Sequence, residues 1–257
     1  MLTILYRDEH VIAVDKPAGL LVHRSGVDRH ETRFAVQLLR DMIGRRVRPV
    51  HRLDKGTSGV LLFALDDDSA RGLGTQFERA EVEKRYLAVV RGWPPASGTI
   101  DHALTRIRDA YAPVQGSIRA LPARTDYHRL ATVELPDAVD RYPTARYALL
   151  ALAPRTGRRH QLRRHLKHIA HPIIGDATYG KGVHNRYFQR RYGAARLLLA
   201  CVGLSCRHPV TGAPLSIAAP PGGEFAALLE ELGWAGAAAG AVADWQRRPP
   251  GVVTPPY

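Results

Sequence analysis

The stretch His51-Arg52-Leu53-Asp54-Lys55-Gly56-Thr57-Ser58-Gly59 is followed at once by an apolar run at 60–65. A continuous apolar run of this length, bounded by turn residues, predicts a buried strand. Glycines at two positions allow backbone angles that other residues resist, and the two hydroxyl side chains can bond the free amides of a tight loop. The pattern therefore predicts strand, tight loop and buried strand, with Asp54 at the mouth of the turn.

Asp54 lies between two cationic neighbours, Arg52 and Lys55. If residues 50–54 are extended, the two-residue period places Arg52 and Asp54 on one face, with His51 and Leu53 on the other. A carboxylate beside positive charges stays ionised, which suits a nucleophile or a base. An ordinary aspartate that pairs with an arginine at a strand end has the same pattern, so these residues alone leave both interpretations open.

Four further segments accompany the His-Arg-Leu-Asp motif in a matching order along the chain. They are Asp-Lys-Pro-Ala-Gly-Leu-Leu-Val-His at 15–23, Glu-Lys-Arg-Tyr at 83–86, Thr-Gly-Arg-Arg-His-Gln-Leu-Arg at 156–163, and His-Pro-Ile-Ile-Gly-Asp at 171–176. Over roughly residues 1–220 the chain resembles the RluA-type pseudouridine synthases, which isomerise uridine in RNA. The resemblance implies an α+β fold: a single catalytic domain whose mixed, largely antiparallel sheet is flanked by helices.

The resemblance also implies roles for individual residues. Asp54 corresponds to the catalytic aspartate, Tyr86 to the tyrosine that stacks on the target uracil, and Arg163 to the arginine that pairs with the aspartate. Arg52 corresponds to the arginine that fills the space left by the flipped base. From the strand pattern alone, Tyr86 is equally a half-buried tyrosine with a satisfied hydroxyl.

Basic residues near these motifs form a second group of candidates, the RNA contacts. They are Lys16, His51, Arg52, Lys55, Arg158, His160, Arg164 and Lys167. A cationic helix at about 159–170, with its apolar residues on the opposite face, suits contact with RNA phosphates. Lys16 is equally well interpreted as a solvated turn lysine.

The charge of the chain points to a phosphate-rich partner. Its 257 residues carry a formal net charge of +13, which favours nucleic acid as the partner over an anionic membrane. No apolar run reaches membrane-spanning length and no signal-peptide pattern is present, so a cytoplasmic protein, and a monomer, is expected. Isomerisation needs no cofactor. The four histidines at 160–171 lack cysteines or carboxylates at zinc spacing, so no metal is expected. Cys201 and Cys206 are predicted to be core thiols without a disulfide.

The predicted organisation is a catalytic domain at 1–234 and a disordered tail at 235–257. A stretch at 93–126 loses periodicity and is interpreted as a loop or hairpin insertion. A basic, tyrosine-rich loop is expected at 181–196. Helices are predicted near 31–43, 67–80, 159–170 and 224–232, and strands near 3–23, 84–90, 128–135, 146–152, 197–204 and 214–218.

Within the family, several features favour a member that acts on tRNA, at uridine 65. The chain begins directly at the first strand, which leaves no room for a small amino-terminal RNA-binding domain. The segments His-Arg-Ser at 23–25, Arg-Tyr-Pro-Thr at 141–144 and Gly-Trp at 233–234 resemble that subgroup. Relatives acting on other tRNA positions or on large-subunit ribosomal RNA remain an alternative.

Two other classes of function remain as hypotheses. One is an RNA-binding or RNA-folding protein, for which Asp54 would be dispensable. The other is a hydrolase with Asp54 as nucleophile, whose nearest candidate for activating water, His51, points away from Asp54 by strand alternation. For the isomerase, the residues do not decide whether Asp54 attacks the sugar or removes a proton from it on a glycal route.

Overall fold

The computed structural model describes residues 1–24, 31–105 and 119–247. Within these residues, ten strands form one sheet, two short strands form a separate pair and six helices surround the sheet. The strands are β1 (Thr3–Arg7), β2 (Val11–Lys16), β3 (Arg48–Pro49), β4 (Ser58–Ala64), β5 (Glu83–Arg91), β6 (Ser97–Asp101), β7 (Leu104–Thr105), β8 (Ala120–Leu121), β9 (Arg124–Leu135), β10 (Ala145–Pro154), β11 (Leu199–Arg207) and β12 (Pro214–Ala218). The helices are α1 (Ala35–Ile43), α2 (Asp67–Glu78), α3 (Gln161–His168), α4 (Gly182–Tyr192), α5 (Glu224–Glu231) and α6 (Ala235–Arg247).

The sheet is mixed and mostly antiparallel. Its main path runs β1-β2-β4-β11-β5-β10-β9-β6, with β12 paired to β11 and β3 paired to β4. The β4–β11 pair is parallel, and the other pairs are antiparallel. At the parallel junction Gly59 has a φ of 105° and lies so close to β11 that a Cβ would stand 2.0 Å from the carbonyl oxygen of Cys201. Only glycine fits there.

The two faces of the sheet carry separate hydrophobic cores. Alternation along β5 places Tyr86 and Ala88 in one core and Leu87 and Val89 in the other, as the period of a strand requires. Helices α1, α2 and α3 pack on the Tyr86 face. Helices α4, α5 and α6 pack on the opposite face. The fold is the expected α+β arrangement.

Local sequence signals account for the helix ends. The carboxylate of Asp66 accepts the Ser69 backbone N–H at the start of α2, and α1 ends at Gly44 with a φ of 65°. Both are common capping arrangements. On α3, Leu162 and Leu166 are buried, as the helical spacing predicts. The cysteines are both free and buried.

The prediction of a disordered tail at 235–257 is wrong for residues 235–247, which form α6. Its Trp245 is 4% exposed. The indole packs so closely on Gly203 that a Cβ on this glycine would lie 2.4 Å from Nε1 of Trp245. Alanine and glycine dominate α6, and this composition is the reason that a disordered tail was predicted. Ala238, Ala241 and Val242 of α6 nevertheless pack in one hydrophobic core with residues of the sheet. Residues 248–257 lie outside the described residues.

Regular structure is also present in the predicted basic loop at 181–196 and in the stretch at 93–126, which was predicted to be a loop or hairpin insertion. The basic loop at 181–196 is mostly helix α4, which buries Phe188 against the sheet. Within 93–126, β6 pairs with β9 as the edge strand, and β7 pairs with β8; residues 106–118 lie outside the described residues. In the described part of the chain, no helix is both long and apolar enough to cross a membrane.

Candidate active site

Asp54 lies in the loop between β3 and β4, and that loop is held by its backbone. The carbonyl of Asp54 accepts the N–H of Thr57 at 3.0 Å, and the carbonyl of Lys55 accepts the N–H of Gly19 at 2.8 Å. The second bond joins the loop to the turn that follows β2. Asp54 is 27% exposed, so its carboxylate is fixed in position and still open to a ligand.

Lys16 does not have the exposed position that both interpretations, an RNA contact and a solvated turn lysine, require. It is fully buried, and its ammonium donates to the carbonyls of Pro17, Leu20 and Lys55 at 2.8, 2.7 and 3.3 Å. Burial and the nearby Arg196 lower the pKa of Lys16 to about 7, against the opposing effect of Asp54 and Asp15. Lys16 thus ties the β2 turn to the Asp54 loop, because a buried ammonium needs acceptors on every side.

Arg163 of α3 pairs with Asp54, as the resemblance implies. Its Nη1 donates to Oδ2 of Asp54 at 3.1 Å. The same guanidinium donates from Nε and Nη2 to the two oxygens of Asp176, at 2.7 and 2.9 Å. Burial would lower the pKa of Arg163, but the hydrogen bonds and charges of Asp176 and Asp54 raise it overall. A bidentate pair of this kind fixes the plane of the guanidinium as well as its charge.

Asp176 is the residue that holds Arg163, and no role for it was predicted from the sequence. Its side chain is 0% exposed and also accepts the backbone N–H groups of Thr178 and Tyr179, both at 2.9 Å. Burial would raise the pKa of Asp176, but these bonds and Arg163 lower it below its usual range. Asp176 therefore stays charged as the permanent partner of Arg163.

Asn185 of α4 holds the backbone on which Asp176 stands. Its Oδ1 accepts the N–H of Gly175 at 2.8 Å, and its Nδ2 donates to the carbonyl of Asp176 at 2.9 Å. Gly175 has a φ of 79°, and a Cβ there would stand 1.8 Å from the carbonyl oxygen of Arg196. A chain of contacts thus runs from Asn185 through Asp176 and Arg163 to Asp54.

His160 is the second basic group beside Asp54. Its Nε2 lies 3.8 Å from Oδ1 of Asp54, and its Nδ1 is 3.0 Å from the hydroxyl of Tyr179. The residue has a φ of 56° at the start of α3, a left-handed backbone that is uncommon outside glycine and often found at functional positions. Burial lowers the pKa of His160, with Asp54 opposing and Arg163 adding to the effect. A neutral imidazole next to Asp54 is the result at neutral pH.

Tyr86 faces the same cleft from β5. It is 8% exposed, and it lies opposite Cys201 of the neighbouring strand β11. Burial and the neighbouring Cys201 raise the pKa of Tyr86 well above its usual range, and burial raises the pKa of Cys201 to about 12. Both groups keep their protons at neutral pH, so Tyr86 offers the cleft a neutral ring.

The cleft that contains these groups has a volume of about 640 Å³. That is within the range of sites that enclose a compact organic ligand. Asp54, Tyr86 and Arg163 all line it, so the fold brings together three residues of which the first and last are 109 positions apart in sequence. The lining of the cleft includes the β10–α3 loop at 155–160. It also includes Phe77, in the last turn of α2.

His51 lines the cleft, but its ring is held by contacts within the protein. Its Nε2 accepts the N–H of Leu62 at 3.0 Å, and its ring stacks on Phe77 at 5.1 Å. Burial and the charge of Lys84 lower the pKa of His51 to about 3, so it carries no charge for a phosphate. As the alternation predicts, Leu53 is buried while Arg52 is exposed beside the cleft.

The other candidate RNA contacts lie on the surface, each with a protein partner. Lys55 pairs with Glu31 at 2.7 Å. Arg158 donates to the carbonyl of Pro122 at 3.1 Å, and Arg164 donates to the carbonyl of Thr105 at 2.9 Å. The ammonium of Lys167 lies 5.9 Å from the ring of Tyr179. These partners leave the side chains exposed or half-buried around the cleft, where contact with RNA remains a prediction.

The histidines of the α3 region have protein partners. His165 is buried between Thr125 and the carbonyl of His102, His168 stacks on His102 at 3.7 Å, and His171 donates to the carbonyl of Arg91 at 2.8 Å. Over the described ranges, no group of three or more His, Cys, Asp or Glu side chains is arranged to hold a metal ion.

Comparison with known proteins gives consistent matches. The sequence model of a family described as RNA pseudouridylate synthase matches residues 10–168. A Yersinia pestis protein named tRNA pseudouridine synthase C is 50% identical over 242 residues, covering 93% of each chain. A Vibrio cholerae protein of the same name is 48% identical over 238 residues, covering 91% of this chain and 97% of that one.

Solved structures give the same match. The structure titled human RNA Pseudouridylate Synthase Domain Containing 4 has a TM-score of 0.67 and 27% identity, covering 90% of this chain and 92% of that one. The structure titled human RNA Pseudouridylate Synthase Domain Containing 1 has a TM-score of 0.70, covering 97% of this chain and 96% of that one. Its identity is 24%, so it supports the fold alone.

Proposed function

Because this chain belongs to the RNA pseudouridylate synthase family, we propose that it converts one uridine of tRNA, uridine 65, to pseudouridine. The chain is an RNA pseudouridine synthase, and therefore an isomerase. Two relatives that match nearly the whole chain carry the name tRNA pseudouridine synthase C. That name, and the tRNA-type segments of the sequence, support tRNA as the substrate.

The reaction rearranges a single nucleoside. The bond from uracil N1 to the ribose C1′ breaks, the base turns, and C5 of the uracil bonds to the same C1′. The proton lost from C5 is balanced by one gained at N1, so the product has the same composition as the substrate. Asp54 acts either by attacking the sugar or by removing a sugar proton on a glycal route.

The cleft supplies the conditions for that step. A uridine within folded RNA must leave its stack to reach Asp54, at a cost of about a few kcal/mol. Arg52, exposed at the cleft, fills the space vacated in the RNA. Tyr86 stacks under the uracil, and its phenol stays neutral. Arg163 keeps Asp54 charged and oriented, so the carboxylate is preorganised before the base arrives.

The observation that carries this proposal is the pairing of Asp54 with Arg163 at 3.1 Å inside a cleft that Tyr86 also lines. The test is a chemical map of pseudouridine in total tRNA and ribosomal RNA from cells with and without the gene. We expect the signal at uridine 65 of tRNA to vanish without the gene and to return with the wild-type gene. Loss of a signal elsewhere in tRNA or in ribosomal RNA would overturn the choice of target.

A further inference from the structure

Lys84 occupies the end of the cleft that the roles above leave unused. It lies on β5, two residues before Tyr86, and lines the cleft together with Phe77 and Val82. Residues two apart on a strand point to the same face, about 6.6 Å from each other. The Lys84 ammonium is 5.6 Å from the centre of the Phe77 ring. It therefore reaches toward the carboxyl end of α2, beside the place assigned to the uracil.

The ammonium of Lys84 is short of partners. Among residues 1–24, 31–105 and 119–247, its ammonium faces the ring of Phe77 and has no hydrogen bond and no ion pair. The group is half-buried, and burial lowers its pKa. The nearest basic ring, His51, is uncharged and uses its Nε2 for the N–H of Leu62.

A partly buried ammonium with no acceptor from the protein is stabilised when an anion approaches it. Lys16 in the same region illustrates the contrast, since three carbonyls surround its ammonium. A purely structural lysine would extend its charge to solvent over an apolar stem. Lys84 instead directs its charge into a cleft that receives a polyanion.

We propose that Lys84 binds a phosphate oxygen of the RNA chain next to the flipped uridine. This inference rests on the proposed function, because it assumes that an RNA strand enters the cleft. The ammonium would then gain the acceptor that the protein lacks, while Phe77 holds the aliphatic stem in place. A phosphate there fixes the strand on the side of Tyr86 away from Arg163, so the base is held between two cationic points.

The test uses the full-length enzyme and whichever RNA the wild type modifies in the mapping experiment. Lys84→Met removes the charge at similar length, and Lys84→Arg keeps it. Arg71→Met, on the exposed outer side of α2, is the matched control for loss of one positive charge. The dissociation constant is measured by filter binding over a series of salt concentrations, and stability by urea denaturation.

If Lys84 meets a phosphate, Lys84→Met weakens RNA binding by about 5- to 10-fold and lowers the slope of log affinity against log salt by about 1. Lys84→Arg restores most of the affinity, Arg71→Met changes little, and Lys84→Met is no less stable than wild type. Weaker binding with an unchanged salt slope would indicate a base carbonyl and overturn the phosphate assignment. Unchanged binding, or a loss of stability that accounts for the weaker binding, would overturn the proposal altogether.

A second variant and the wild-type map complete the test of Lys84. If Lys84→Met does not fold, Lys84→Gln serves in its place, with the same expected salt slope. The wild-type map shows separately whether the enzyme acts on tRNA. Failure of the tRNA assignment therefore leaves the test of Lys84 intact, since the measurement follows the RNA that is modified.

Discussion

Arg163 and Asp176 are joined by two hydrogen bonds, of 2.7 and 2.9 Å, between a guanidinium and a carboxylate that is 0% exposed. The third donor of the same guanidinium meets Asp54 at 3.1 Å. The carboxylate of Asp176 thus holds the arginine in place, and the carboxylate of Asp54 remains available to react. The division of roles follows from burial, because only Asp54 is open to a ligand.

Arg163→Met should lower the single-turnover rate of pseudouridine formation by about 100-fold or more, since a preorganised charge beside the reacting carboxylate is lost. Arg163→Lys keeps the charge but not the planar fork, so we expect an intermediate rate. The rate is measured with enzyme in excess over RNA. A Met variant that is folded and as fast as wild type would refute the role given to Arg163.

Asp176→Asn should change how stability depends on pH. The folded pKa of Asp176 lies below its unfolded value, so its contribution is complete above the unfolded pKa, about 3.9. That contribution is lost as pH falls through the folded pKa. The wild type should therefore lose urea stability between about pH 5 and acid pH more steeply than Asp176→Asn. Parallel pH curves for the two proteins would show that Asp176 does not carry this dependence.

Asn185→Leu should slow turnover without weakening RNA binding. The variant removes both bonds to the Gly175–Asp176 backbone. A lost hydrogen bond of about 1 kcal/mol corresponds to roughly a 5-fold change in rate if it is felt at Arg163. Gln189→Ala, at an exposed position of the same helix, is the control. If Asn185→Leu weakened RNA binding and left the turnover rate unchanged, α4 would contact RNA and Asn185 would not position Asp176.

Trp245→Ala should lower the free energy of unfolding by about 3–5 kcal/mol, because it removes a buried indole and leaves a cavity. The residue is 4% exposed and packs on Gly203 and near Arg85, whose guanidinium lies 5.9 Å from its ring. Gln246→Ala, exposed on the same helix, should change stability by less than about 0.5 kcal/mol. Equal, small effects of the two changes would mean that α6 does not pack in solution.

Features set by local pattern were predictable from the sequence. The apolar run after Gly59 is a fully buried strand, and the alternation along β5 places Tyr86 on the face of the cleft. The pairing of Arg163 with Asp54 was implied by family resemblance, since no local pattern relates residues so far apart. The α+β class followed from the same motifs.

Features set by tertiary partners were not predictable. Lys16 lies in a turn motif typical of an exposed lysine, and its burial depends on the carbonyl of Lys55, far along the chain. Asp176 was part of a recognised motif, but its role requires knowing that Arg163 lies opposite. Helix α6 has too few large apolar residues to be recognised by periodicity. Its position depends on the close contact of Trp245 with Gly203, where there is no side chain.

The central claim is that the carboxylate of Asp54 performs the isomerisation in a cleft formed to receive RNA. The direct measurement is the single-turnover yield of pseudouridine by Asp54→Asn, alongside its dissociation constant for the same RNA. The amide keeps the size of the side chain and loses the charge and basicity that both routes need. We expect a variant that binds RNA within about 3-fold of wild type and forms no detectable product. Pseudouridine formation by this variant at the wild-type rate would contradict the account.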